Sequence, residues 1–239
     1  MAGPRGILKD PLLSVVMPVY NERDTIEEII GRVLAQPVRV QLIVVDDGSN
    51  DGTRDILTRL HRQLGFTLIF QERNRGKGAA LRRGFTEVTG EIVVIQDADL
   101  EYSPEEYSEL IALICQGRAD VVYGSRFIGR HRVFLFSHYL GNVLLTFVTN
   151  VLYNTMLTDM ETCYKVMVRK FADRLDLQSK DFGIEPEITQ KMAAMRARIY
   201  EVPISYNGRT YEEGKKIGLK DGFKAVYTIL RFWGWTPKN

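Results

Sequence analysis

Short aliphatic and β-branched runs alternate with segments of helical period through the first half of the chain. The runs predict strands at 13–19, 40–46, 66–71, 91–97 and 119–124, and each leads into Gly, Asn, Asp or Ser. Such alternation predicts a mainly parallel sheet covered by helices on both faces. Helix starts carry their own chemistry. Thr25 with Glu28 has capping-box spacing, Asn50 and Asp51 are cap candidates for the next helix, and Ser103-Pro104-Glu105-Glu106 combines an N-cap, a first-turn proline and an N3 carboxylate. Further on, strands are expected around 162–168 and 199–204, and helices at 185–197 and 219–232.

One segment departs from this rhythm. Between Arg132 and Asp159 there is no Asp, Glu, Lys or Arg, and the run FLFSHYLGNVLLTFVTNVLYNTML is long enough to cross a bilayer. His138, Asn142, Asn150, Asn154 and several threonines recur through it, and a helix in lipid carries few such groups. The expectation is a helix over about 134–157, packed on the core or lying in a membrane interface.

The 239 residues suit a single α/β domain spanning 1–239, and 45% hydrophobic with 26% charged residues is ordinary for a folded chain. Thirty-two Lys plus Arg against 30 Asp plus Glu leave a formal charge of +2, which excludes a general nucleic-acid binder and makes any anion recognition local. The two cysteines, Cys115 and Cys163, form no CxxC or Cys/His ligand pattern, as expected of a reduced compartment. The first apolar run is short, contains Pro18 and lacks a small-residue cleavage site. A cytoplasmic protein is expected.

Candidate chemistry gathers at the predicted strand ends. Asp97-Ala98-Asp99 follows IVVIQ, placing two carboxylates at the carboxyl edge of a sheet, where ligands of α/β folds bind. Two ionised carboxylates there call for a cation, and oxygen ligands suit Mg²⁺ or Mn²⁺; Glu101 is a third possible donor. A second acidic pair, Asp46-Asp47, ends the second strand and lands on the same edge, near PVYNE. In ERNRGKGAALRRG, Gly76 and Gly78 would let backbone N–H groups approach an anion at a helix N-terminus, with Lys77 adding charge. The GxxxxGK[ST] phosphate loop and the third glycine of a dinucleotide fingerprint are both missing from it.

PVYNE at 18–22, VDDGSNDGT at 45–53, NRGKGAALRRG at 74–84, DADLEYSPE at 97–105 and GSRF at 124–127 occur in that order, over about half of the chain. This series resembles glycosyltransferase family 2, in its dolichyl-phosphate mannose and glucose synthase-like branch. The resemblance implies a GT-A fold and an inverting hexosyl transfer from GDP-mannose or UDP-glucose to a polyprenyl or dolichyl phosphate, by a peripheral enzyme on the cytoplasmic face of a membrane. By it, Pro18, Tyr20, Glu22 and Asp47 would hold the nucleoside. Asp97, Ala98 and Asp99 would hold the donor diphosphate, with Asp97, Asp99 and Glu101 on the metal; Glu101 stands where the family often has Gln. Arg126 would contact the acceptor phosphate. In NGRTYEEGKKIG, Arg209 with Lys215 or Lys216 would fold over the donor phosphates, although the spacing is longer than in the branch. Arg130, Arg132 and His138 are candidates for a second acceptor contact. Catalysis would thus rest on Asp99 and Arg126.

A phosphate acceptor is already ionised at neutral pH and needs no general base, whereas a sugar hydroxyl does. The alternative is therefore transfer to a hydroxyl of a glycan or small molecule, with Asp159 or Glu187 as base. A phosphatase of the haloacid dehalogenase type also uses DxD, but it has Thr or Val two positions on, where this chain has Glu101. Trp233 and Trp235 would suit a membrane interface or the core.

Overall fold

A computed structural model of the chain describes residues 7–132, 135–181, 183–208 and 219–237. Its seven strands are β1 (Leu13–Val19), β2 (Val40–Asp46), β3 (Thr67–Phe70), β4 (Ile92–Ile95), β5 (Val121–Ser125), β6 (Lys165–Val168) and β7 (Ile199–Pro203). They form one sheet in the order β3-β2-β1-β4-β6-β5-β7. Only β6 runs against its neighbours, β4 and β5, so the other strands deliver their carboxyl ends to one edge.

The helices are α1 (Ile26–Leu34), α2 (Thr53–Leu64), α3 (Lys77–Phe85), α4 (Tyr107–Cys115), α5 (Phe136–Tyr153), α6 (Arg169–Ala172), α7 (Ile184–Ala194) and α8 (Leu219–Phe232). Helical spacing explains their seating. In α1, Ile26, Ile29, Ile30 and Val33 are buried, contributing roughly 2 kcal/mol each towards holding the helix on the sheet. The predicted α/β architecture is the one observed: a seven-stranded, mostly parallel sheet flanked by helices.

Departures from the sequence expectations cluster at the site edge. Strand pairing of β4 with β1 ends at Val16↔Ile95, so Asp97 and Asp99 lie in a loop beyond the sheet rather than in a strand. Thr25 stands at the N-cap of α1, but its hydroxyl donates to the Ala98 carbonyl (2.8 Å), with Glu22 Oε2 also within reach at 3.1 Å, instead of closing a capping box. It thereby ties the PVYNE loop to the DAD loop. Gly52, at φ 101°, takes the N-cap position of α2, and Asp51 accepts the Thr53 N–H at 3.0 Å.

The apolar segment forms α5, with its amphipathicity inverted. Leu145, Thr146 and Thr149 are buried, and His138, Asn142 and Asn150 are half-buried on the same side. Phe136 (75% exposed), Leu140 (54%), Leu144 (58%), Phe147 (62%) and Val151 (64%) make the outward stripe. The polar groups look inward because loop backbone needs partners there: Thr146 accepts the Met160 N–H (3.1 Å), and the Asn150 side chain bonds both N–H and C=O of Leu157. Leu145 meets Ala225 and Ile229 of α8, whose Tyr227 and Leu230 are exposed, as is Trp233 just beyond it. Trp235 instead lies under Lys191, at 5.1 Å. Among the described residues no helix is long and apolar enough to cross a membrane.

Candidate active site

The ends of β1 and β2 meet at Val19↔Asp46, and the Asp47 N–H donates to the Val19 carbonyl. This places Pro18, Tyr20 and Glu22 beside the second acidic pair. Asn21, at φ 55°, knits the two loops: its N–H reaches Ser49 Oγ, and its side-chain oxygen accepts the Asn50 N–H, both at 2.9 Å. Glu22 N–H donates to Thr53 Oγ1 at 3.1 Å. Buried Asp46 pairs with Arg54 at 2.7 Å and caps the Gly48–Ser49 turn.

Asp47 is more committed than its sequence position suggests. Its oxygens accept from Gln71 Nε2 (2.9 Å), Arg75 N–H (2.8 Å) and Gly76 N–H (2.7 Å), occupying three of about four lone-pair sites. Burial raises its carboxyl pKa, and the Arg75 and Gly76 amides offset only part of that rise. The glycine-rich turn thus receives an internal anion at its own backbone. Gly76 lies at φ 93°, and Gly78 donates to the Lys180 carbonyl (2.9 Å) where a Cβ would run into the Ser179 carbonyl. Close approach of the 179–180 backbone accounts for Gly78, so this N–H is turned to protein rather than to a phosphate.

Lys77, the first residue of α3, reaches Asp97 Oδ1 at 2.8 Å and Oδ2 at 3.0 Å, and lies 3.1 Å from Glu185 Oε1. Glu185 in turn holds buried Lys165 at 2.6 Å. Burial disfavours the Lys77 ammonium, yet Asp97 and Glu185 outweigh it and keep its pKa well above that of an ordinary lysine. Asp99 Oδ1 accepts the Glu101 N–H at 3.2 Å across Leu100, which adopts φ 62°, an uncommon backbone for a residue with a side chain. Glu101 Oε2 accepts the Tyr206 hydroxyl at 2.7 Å.

Among the described residues no group of three or more His, Cys, Asp or Glu side chains converges as a metal cage. Asp97 and Asp99 fit an open site instead. Mg²⁺-type ions that meet a diphosphate commonly take one or two carboxylates from protein and the remaining oxygens from phosphate and water.

Arg126 follows β5 and is buried against Asp159. Its backbone N–H (3.0 Å), Nε (2.7 Å) and Nη2 (2.7 Å) all donate to that carboxylate. The guanidinium also stacks on Tyr206, 5.2 Å from the ring centre. Tyr206 therefore joins Arg126 to Glu101, a connection no motif announced. Arg130 and Arg132 are exposed; their backbone groups bond Tyr206 and pin the 125–132 loop to it.

Two carboxylates that served as sequence candidates for a general base are already engaged by buried partners. Asp159 is locked by Arg126, and Glu187 accepts from Gln178 N–H and Ser179 N–H (2.7 Å each) and from Lys191 (2.6 Å). Glu161 is different: its Oε1 is buried without a hydrogen-bond partner, and burial pushes its carboxyl up to about 7. Lys165, at the head of the apolar strand β6, was the available signal that a buried carboxylate lay opposite. Arg209, Lys215 and Lys216 lie outside the described residues.

The site is thus an edge of acidic loops on a mostly parallel sheet, with buried Arg126 joined to the DxD turn through Tyr206 and Glu101. The chain belongs to glycosyl transferase family 2, whose profile matches residues 14–202. It is 28% identical over 235 residues to a dolichol-phosphate mannosyltransferase of Pyrococcus furiosus, covering 93% of this chain and 64% of that protein. A low-salt glycan biosynthesis hexosyltransferase of Haloferax volcanii is 30% identical over 226 residues, covering 92% and 53%. The chain thus spans between half and two thirds of these relatives. An undecaprenyl-phosphate 4-deoxy-4-formamido-L-arabinose transferase of Pseudomonas syringae is 40% identical over 116 residues, 46% of this chain and 34% of that one. In fold, the chain resembles glucosyl-3-phosphoglycerate synthase of Mycobacterium tuberculosis, solved with Mn²⁺ and uridine diphosphate: TM-score 0.71 at 22% identity, covering 96% and 82%. The GT-A fold and the family expected from the motifs are both borne out.

Proposed function

We propose that the protein moves a hexose, with inversion, from GDP-mannose or UDP-glucose to a polyprenyl phosphate, at a membrane surface and with Mg²⁺ or Mn²⁺. The carrying observation is the outward apolar stripe of α5, which begins beside the acceptor-side arginine: Phe127, next to Arg126, packs edge-on against Tyr139 of α5 at 5.3 Å. A lipid phosphate needs a cationic contact next to a surface that accepts hydrocarbon, and Arg126 with α5 supplies that pairing. Exposed Arg130 and Arg132 flank it with charge suited to anionic headgroups. Both the dolichol-phosphate and the undecaprenyl-phosphate relatives carry polyprenyl phosphates in their names, which supports the same acceptor class.

In this reading Pro18, Tyr20, Glu22 and Asp47 hold the nucleoside, Asp97, Ala98 and Asp99 orient the diphosphate, and Glu101 steadies the loop through Tyr206. Arg209 with Lys215 or Lys216 completes the donor side. A divalent ion held by Asp97 and Asp99 would neutralise the charge that develops on the leaving nucleoside diphosphate. Arg126 orients the acceptor phosphate, whose own negative charge makes it the nucleophile. That Asp159 and Glu187 are fully engaged accords with chemistry that needs no base.

A second reading, transfer to a hydroxyl, is favoured by Glu161, whose orphaned oxygen goes with a carboxyl pushed up to about 7. The two part in one assay. With Mn²⁺ and each donor, polyprenyl phosphate should yield a lipid-extractable sugar; transfer only to glycan hydroxyls, abolished by Glu161→Gln, selects the second. Liposomes of anionic phospholipid should float the protein, and Leu140→Glu/Phe147→Glu should reduce flotation at least tenfold while leaving the fold intact. Undiminished flotation removes α5 from the membrane contact.

A further inference from the structure

Both oxygens of Asp97 lie on Lys77, so a divalent ion arriving there competes with the ammonium, and the two cations repel across a few ångströms. The backbone beneath Lys77 has no freedom to resolve the conflict. Gly76 N–H is held by Asp47 at 2.7 Å, Gly78 N–H by the Lys180 carbonyl at 2.9 Å, and the Ser179 carbonyl closes the space over Gly78. Only the four-carbon stem can move. It has a place to pivot from, since Glu185 Oε1 lies 3.1 Å from the ammonium, and Lys165 keeps Glu185 neutralised whichever way Lys77 turns.

We infer that Lys77 is the resident cation of the donor site: it occupies Asp97 until metal and nucleoside diphosphate arrive together, then swings its ammonium from Asp97 to the diphosphate. This rests on the donor-site reading above and gives Lys77 a positioning role beyond static phosphate contact. Asp97 exchanges one cation for another, and the released ammonium meets the anion that came with the metal. Metal and nucleotide should therefore bind cooperatively, each relieving the obstacle to the other, by equal factors as linkage requires.

The test is Mn²⁺ affinity, read by electron paramagnetic resonance, with and without GDP or UDP. In the unaltered protein the nucleotide should tighten Mn²⁺ at least thirtyfold. In Lys77→Met, Mn²⁺ alone should bind at least tenfold tighter, while the enhancement by nucleotide should shrink at least tenfold. A lysine that stays on Asp97 in every state would leave that ratio unchanged, since its removal would strengthen both affinities alike; an unchanged ratio overturns the inference. A second measurement avoids reliance on the variant. With ¹³C-methylated lysines, the Lys77 resonance of the unaltered protein should shift on adding Mg²⁺ with nucleotide while that of buried Lys165 does not, and a stationary Lys77 signal also overturns the inference. Absence of Mn²⁺ binding with either nucleotide would instead sink the donor-site reading itself.

Discussion

The Arg126–Asp159 pair allows a structural role and an acceptor role to be separated. Asp159 is wholly buried and takes three donors from Arg126, whose guanidinium is itself nearly excluded from solvent. Asp159→Asn preserves shape and the contact to the backbone N–H but leaves a buried guanidinium without a counter-charge, a loss of about 3–5 kcal/mol. Arg126→Met leaves the carboxylate alone and costs a similar amount. The double variant strands neither charge, so the pair should show a coupling of roughly 2–3 kcal/mol by double-mutant cycle. Urea denaturation followed by the fluorescence of Trp233 and Trp235 reads these energies. The double variant, with its fold regained, should bind nucleotide normally yet transfer sugar at least a hundredfold more slowly, because the acceptor phosphate has lost its arginine. A stable double variant with full transfer would refute the acceptor role and reduce Arg126 to a core ion pair. Singles within 1 kcal/mol of the parent would refute the burial argument.

Two further outcomes follow from the same geometry. Glu161, raised from an ordinary 4.5 to about 7, favours folding when protonated; its contribution is complete below about pH 4.5 and is lost as pH rises through 7. That loss is on the order of 3 kcal/mol, so Glu161→Gln should flatten the stability profile between pH 5 and 8, and an unchanged profile would mean that the carboxyl is ionised throughout. Gly78→Ala drives a methyl into the Ser179 carbonyl and should cost about 2 kcal/mol, lowering Tm by roughly 4–8 °C and loosening nucleotide binding; a neutral result would mean that the 179–180 backbone yields freely.

The chain by itself determined the strand series, the α/β class and the arrival of PVYNE, DDGS and DAD on one edge, since apolar runs and turn residues are local signals and a parallel sheet sends its strand ends one way. It also placed the helix at 136–153 within a few residues, and the charge-free run marked it as unusual. Which side of that helix faces the core was a tertiary decision: loop backbone around Met160 and Leu157 required the threonine and asparagine groups, and the phenylalanines and leucines were left outside. Tertiary structure likewise decided the partners of charged site residues among the described ones. Lys77 finds Asp97 twenty residues on, Arg126 finds Asp159 at 33, and Tyr206 reaches Glu101 across 105. No local pattern encodes such pairings, because they are selected by the cost of leaving a buried charge unmatched, and that cost exists only once the sheet has closed over them.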